Sequence, residues 1–218
     1  MRHGTQAATG PGYRRPVQDS PTAADVLATY REPNRVPRDK VIDRIDRYCA
    51  DFIALSPFAT LATAAADGFP DVSPRGGDPG FVRVLDEHRL ALPDRQGNNR
   101  VDGLRNVAAN PRVALLFLVP GIDETLRVFG TAGLAGPDAL GVDLTEFGRP
   151  PRSVMVVQVQ RAYFQCAKAV MRSGLWDPER RVPREAFAPM SEVFREHCRL
   201  PTPLPADEQM RAELAEEL

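Results

Sequence analysis

Histidine is nearly missing from this chain: His3, His88 and His197 are all it has, and no two of them share a metal-ligand spacing. A zinc-binding helix of the two-histidine kind is therefore excluded, and no serine sits in a nucleophile-elbow sequence. Cysteine is equally scarce. Cys49, Cys166 and Cys198 are odd in number and far apart, which excludes a disulfide framework or a cysteine zinc cluster. Free thiols in a reducing, cytoplasmic setting are the expectation. No apolar run is long enough to cross a bilayer, and Arg14-Arg15 lacks the apolar stretch that an export signal would place after it. An excess of one charge is absent as well. The 28 Lys and Arg nearly balance 29 Asp and Glu, so the composition gives no footprint for nucleic acid. Glu213, Glu216 and Glu217 read as the solvated face of a tail helix.

What is present is an apolar share of 43% in 218 residues, enough for a real core. Residues 1–20, rich in Gly, Pro, Thr and Gln, read as a disordered leader. A short helix is expected from Ala23 to Arg31. A longer one is expected from Arg38 to Leu55, where Val41, Ile42, Ile45, Tyr48, Cys49, Phe52 and Ile53 recur at helical spacing.

Strand character follows. Phe58–Ala64 and Pro70–Arg75 flank an Asp67-Gly68 turn, and Phe81–Leu85 and Leu90–Leu92 form a second hairpin. A helix over Asn99–Ala109 precedes the strands Val113–Val119, Glu124–Leu134 and Ser153–Phe164. A short helix is expected after Pro137-Asp138, and another over Gln165–Arg172. About seven antiparallel strands with one inserted helix and helices at both ends point to an α+β barrel, with no βαβ alternation. Residues 21–180 are expected to form the barrel domain with its N-terminal helices, and 181–218 a helical extension.

The stretch LALPDRQGNNRVDGLRNV, residues 90–107, carries the first chemical signal. A strand ends at Pro93, and Asp94, Arg95, Gln96, Gly97 and Asn98 lead into a helix with Arg100 in its first turn. The free amides and positive dipole end of such a helix favour an anion, and Arg95, Asn98, Asn99 and Arg100 add charge and donors. The same residues also read as an ordinary asparagine-capped helix with surface arginines. Two further positions bear on the choice. Ser73-Pro74-Arg75 ends a strand beside flexible glycines, and Arg127 lies within an apolar strand opposite Leu126 and Val128.

Together these segments resemble the pyridoxamine 5'-phosphate oxidase-like FMN-binding split-barrel family. The resemblance rests on SPRGGDPGFVRVLD, PDRQGNNRVDGLRNVAANPRVALLFLVPG and ETLRVFGTAGL, and on RAYFQCAKAVMRSGLWDP downstream, so it spans roughly residues 40–180. It implies an antiparallel six- to seven-stranded split β-barrel with peripheral helices, assembled as a homodimer with one FMN in each of two clefts at the subunit interface. Carried over by position, Ser73 and Arg75 would approach the flavin or its phosphate. Asp94 and Arg95 would line the ribityl chain and ring edge, Asn98, Asn99 and Arg100 would hold the phosphate, and Arg127 would reach in from a neighbouring strand. Phe164, Lys168, Arg172 and Trp176 fall where the family brings second-subunit residues over the cofactor. Trp176 could stack on a ring or simply pack in an interface.

The resemblance departs at two places. Where the oxidases carry an arginine-histidine substrate motif after the last strand, this chain has Ala167-Lys168-Ala169-Val170-Met171-Arg172, and its phosphate loop has asparagines where they favour Ser-Arg-Lys. The implied function is an FMN-dependent oxidoreductase acting on a small molecule. A non-catalytic FMN carrier or redox sensor, and a deazaflavin-dependent reductase on the same fold, stand beside it. The shortage of histidine argues against haem.

Overall fold

A computed structural model of the protein describes residues 22–216 apart from 96 and 98, so the expected leader over 1–20 lies outside the described residues. The chain divides into two compact units, one ending at Asp39 and one beginning at Lys40. The first holds α1 (Ala23–Ala28) and α2 (Arg35–Asp39). A capping box opens α1: the Thr22 hydroxyl accepts the Asp25 N–H and the Asp25 carboxylate accepts the Thr22 N–H.

In the second unit the helix expected over Arg38–Leu55 is interrupted. Ile42 instead bridges Ala162 through two backbone hydrogen bonds of 3.0 and 2.8 Å, and the Ile45 N–H donates to the Glu87 carbonyl at 2.7 Å. Helix α3 (Arg47–Leu55) starts only where the Asp46 carboxylate accepts the Cys49 N–H at 2.9 Å. The apolar spacing misled because Ile42 and Ile45 serve extended backbone, while Cys49, Phe52 and Ile53 alone form the buried stripe of the helix.

The body is one antiparallel sheet of seven strands: β1 (Phe58–Ala64), β2 (Pro70–Gly76), β3 (Arg83–Asp86), β4 (Arg89–Asp94), β5 (Arg112–Leu118), β6 (Thr125–Ala135) and β7 (Ser153–Gln165). Their spatial order is β2-β1-β5-β6-β7-β4-β3, so the sheet stays open between β2 and β3. Helix α4 (Asp102–Ala109) lies against β1, β2 and β6. This is the α+β split-barrel class that the sequence led us to expect. Beyond β7 come α5 (Lys168–Ser173), α6 (Met190–His197) and α7 (Asp207–Glu216), and residues 181–216 place nothing in the core.

The register assigns a face to each side chain, because residues directly opposite in an antiparallel pair point the same way. Ser73 opposes Leu61, Leu61 opposes Leu115, and Leu115 opposes Val128. Leu61, Leu115 and Val128 are all buried, so this is the core face, and Arg75, two residues after Ser73, shares it. Arg127 opposes Leu116 and Tyr163, on the other face.

Candidate functional site

Ser73 and Arg75 sit on β2 with Asp71, all turned toward α4 and the barrel interior. Arg75 Nη1 donates to Asp94 Oδ1 at 2.9 Å, with side chains only 13% and 5% exposed. A methyl group added at Gly103 of α4 would lie 3.4 Å from Arg75 Nη2, which places the guanidinium under the helix. Two polar atoms here are buried and unpartnered among the described residues: the Ser73 hydroxyl and Arg75 Nε. Beside them, Asn106 Nδ2 donates to Thr63 Oγ1 at 3.0 Å, and that hydroxyl lies 3.3 Å from Asp71 Oδ2. Thr63, Asn106 and Gly103 were not picked out from the sequence. The only available signal for the last two was that positions 103, 106 and 107 share one face of a helix.

The loop after β4 differs from expectation. The helix begins at Asp102 rather than near Asn99, and Val101 precedes it in a left-handed conformation with φ 50°. A β-branched residue there stores roughly 1–3 kcal/mol of strain. The positive end of α4 already has a carboxylate in its first turn, that of Asp102. Arg100 is therefore not a helical residue. It is exposed and paired with Asp102, whose hydrogen bond raises its pKa further above the ordinary arginine value. Asn99 accepts a hydrogen bond from Arg152 Nη1 at 3.1 Å, a partner that sequence reading missed. Asn98 lies outside the described residues.

Arg95 is turned away from this group. Its Nη2 lies 2.7 Å from Glu146 Oε2, and its Nη1 donates to the Leu144 carbonyl at 2.9 Å. Both partners belong to the segment between β6 and β7, and nothing in the local sequence announced Glu146.

The remaining expected residues are not brought to Ser73 and Arg75 within one chain. Arg127 lies on the opposite face of the sheet, its guanidinium 4.9 Å from the Phe129 ring centre and 5.3 Å from that of Tyr163. Phe164 packs edge-on against Phe52 at 5.3 Å. Lys168 and Arg172 are exposed on α5, and Trp176 is half-buried with its indole N–H donating to the Ile122 carbonyl at 2.9 Å.

Chemically, the β2–α4 site is a cluster of buried and half-buried polar side chains around one oriented guanidinium. Among the described residues no group of three or more His, Cys, Asp or Glu side chains is placed to hold a metal ion. A cleft of about 530 Å³, lined by Phe52, Leu55, Tyr163 and Phe164 among others, shares no lining residue with it.

Comparison with known proteins bears on the family. The sequence profile of the family named Pyridoxamine 5'-phosphate oxidase matches residues 45–166, more than half of the chain. No curated protein matches the sequence. Among solved structures, HupZ from Group A Streptococcus is 21% identical, with 55% of this chain and 93% of that chain covered and a TM-score of 0.45. A conserved protein of Mycobacterium tuberculosis is 20% identical over 65% of this chain and 94% of its own, with a TM-score of 0.40. A heme binding protein from Mycobacterium smegmatis is 21% identical over 53% of this chain and 52% of its own, with a TM-score of 0.40.

Proposed function

The chain belongs to the pyridoxamine 5'-phosphate oxidase family, and we propose that it is an FMN-binding oxidoreductase acting on a small molecule in a reducing cytoplasm. One observation carries this reading. Ser73 Oγ and Arg75 Nε are buried, unpartnered among the described residues and aligned on one face of β2. A buried polar atom without a partner destabilises a fold, and a bound ligand that supplies acceptors removes that cost. The residues therefore fit the polar parts of a flavin nucleotide.

FMN, when bound, would supply the electron-transfer chemistry that no side chain here provides. The protein's part is to bind and orient. Ser73 would donate through its hydroxyl. Arg75, held by Asp94, would place a fixed positive charge beside whichever ligand atom gains electron density. Asn98, Asn99 and Arg100 would receive the phosphate at the loop before α4, with Arg152 orienting Asn99.

The second part of the reading is a homodimer. The outer face of β5, β6 and β7 presents half-buried Leu116, Leu118, Arg127, Phe129 and Tyr163. By the resemblance, Lys168 and Trp176 of a second copy would approach the cofactor of its partner. Arg127 would then act at the interface rather than in its own chain's pocket.

Steady-state oxidation of a nicotinamide donor by FMN-loaded protein, compared with the same concentration of free FMN, tests the catalytic claim. Turnover above the free-cofactor rate is expected. Equal rates would reduce the protein to a carrier or sensor.

A further inference from the structure

One carboxylate joins three loops around the proposed site. The Glu146 side chain is 7% exposed, takes Arg95 Nη2 at 2.7 Å and accepts the Asp78 backbone N–H. Arg95 in turn reaches back through Nη1 to the carbonyls of Leu144 at 2.9 Å and Arg149 at 3.5 Å. Gly77 is the residue that lets the carboxylate in: a Cβ there would stand 2.6 and 2.8 Å from its two oxygens and 2.7 Å from the Phe81 Cβ. Position 95 also follows Asp94 directly, and Asp94 orients Arg75.

We infer that Arg95 and Glu146 are a positioning pair: they fix the end of β4, and through Asp94 the Arg75 guanidinium, without touching the ligand themselves. Both terminal nitrogens of Arg95 are already engaged within the chain, and only its buried Nε lacks a partner among the described residues. An arginine that gripped a phosphate would need a terminal edge open to it. The side chain that resemblance assigned to the flavin's edge is thus an anchor of the loop that meets the flavin. A half-buried charge pair is suited to this, because removing one partner leaves the other charge without its counter-ion.

This inference rests on the FMN reading, so its test has two arms. In the first, full-length protein is titrated with FMN, followed by quenching of flavin fluorescence, for the wild type and for Glu146→Gln, Gly77→Ala, Arg95→Met and the double variant Arg95→Met/Glu146→Gln. Each single change should raise Kd roughly ten- to hundredfold. The double variant should be no weaker than the worse single, since the two residues act as one unit. If Arg95→Met alone weakened binding while Glu146→Gln and Gly77→Ala stayed within about twofold of wild type, Arg95 would be a direct ligand contact and the inference would be overturned.

The second arm needs no FMN. Backbone hydrogen exchange in the ligand-free protein should accelerate at residues 94–101 in Glu146→Gln, and Glu146→Asp should restore part of the protection. A uniform loss of protection across the sheet, or none at 94–101, would reduce the pair to a general structural contact and overturn the inference. Absence of FMN binding by the wild type would sink the FMN reading and leave this arm to judge the pair.

Discussion

Arg75 on β2 and Asp94 on β4 form a hydrogen-bonded ion pair of 2.9 Å between two strands that stand toward opposite ends of the sheet order. Four strands separate them within the sheet, so the pair exists only because the sheet curls until its two ends approach each other. It closes by side chains a barrel that the backbone leaves open, and it does so beside the unpartnered Ser73 hydroxyl.

Because both partners are buried, removing one takes the counter-charge from the other. Arg75→Met or Asp94→Leu should each destabilise the protein by roughly 3–5 kcal/mol. The double variant should recover a good part of that loss, since an apolar pair satisfies the same space. Chemical denaturation of the four proteins checks this. Additive losses would show that the two residues do not act on each other.

Arg127 lies on the other face of β6. Arg127→Glu should weaken the proposed dimer, raising its dissociation constant about tenfold or more in sedimentation equilibrium, while a monomeric chain keeps its fold. An unchanged dimer would place the interface elsewhere. A wild type that is monomeric at all concentrations would remove it.

The three thiols should differ sharply in reactivity. Burial pushes the Cys49 thiol up to about 12, with the Asp46 carboxylate adding to the effect. The exposed Cys166 is shifted the other way by the Lys168 N–H, which donates to its sulfur. Iodoacetamide at neutral pH should therefore label Cys166 readily and leave Cys49 untouched until the protein unfolds, as read by peptide mass spectrometry. Labelling of Cys49 in folded protein would contradict its placement in the core.

The C-terminal segment should respond to acid before the barrel does. Asp207 caps α6 from sixteen residues away, accepting the N–H groups of Met190 and Ser191 at 2.9 and 3.0 Å and pairing with Arg184 at 2.8 Å. The backbone hydrogen bonds from Ser191 and Met190 lower its pKa from 3.8. A depressed carboxylate contributes its stability in full above the unfolded value and loses it as pH falls through the folded one. Exchange protection of residues 190–197 should hold at neutral pH, fade below about pH 4, and be reduced at every pH in Asp207→Ala, which has no side-chain acceptor. Equal protection in that variant at neutral pH would show that α6 needs no such cap.

Much of this was legible from local pattern. The Asp67-Gly68 turn and the alternation of β6 located strands, and Ser73 and Arg75 stood out at the end of one of them. What was hidden depends on distance in sequence. Asp94 meets Arg75 only through the curl of the sheet, and Glu146 reaches Asp78 across sixty-eight positions. Arg95 was read as a ligand residue without its partner Glu146 in view. The start of α4 was misplaced for a local reason: Asn98, Asn99 and Arg100 resemble a cap, but Val101 turns left-handed and delays the helix to Asp102. Alternation showed Arg127 opposite Leu126 and Val128, yet did not tell which face holds the ligand.

The most direct measurement is a titration of the purified full-length protein with FMN, followed by calorimetry and by the visible spectrum. The account predicts saturable binding of one FMN per chain, weakened at least about tenfold by Ser73→Ala combined with Arg75→Lys. Absence of binding, or binding that this double variant leaves unchanged, would contradict it.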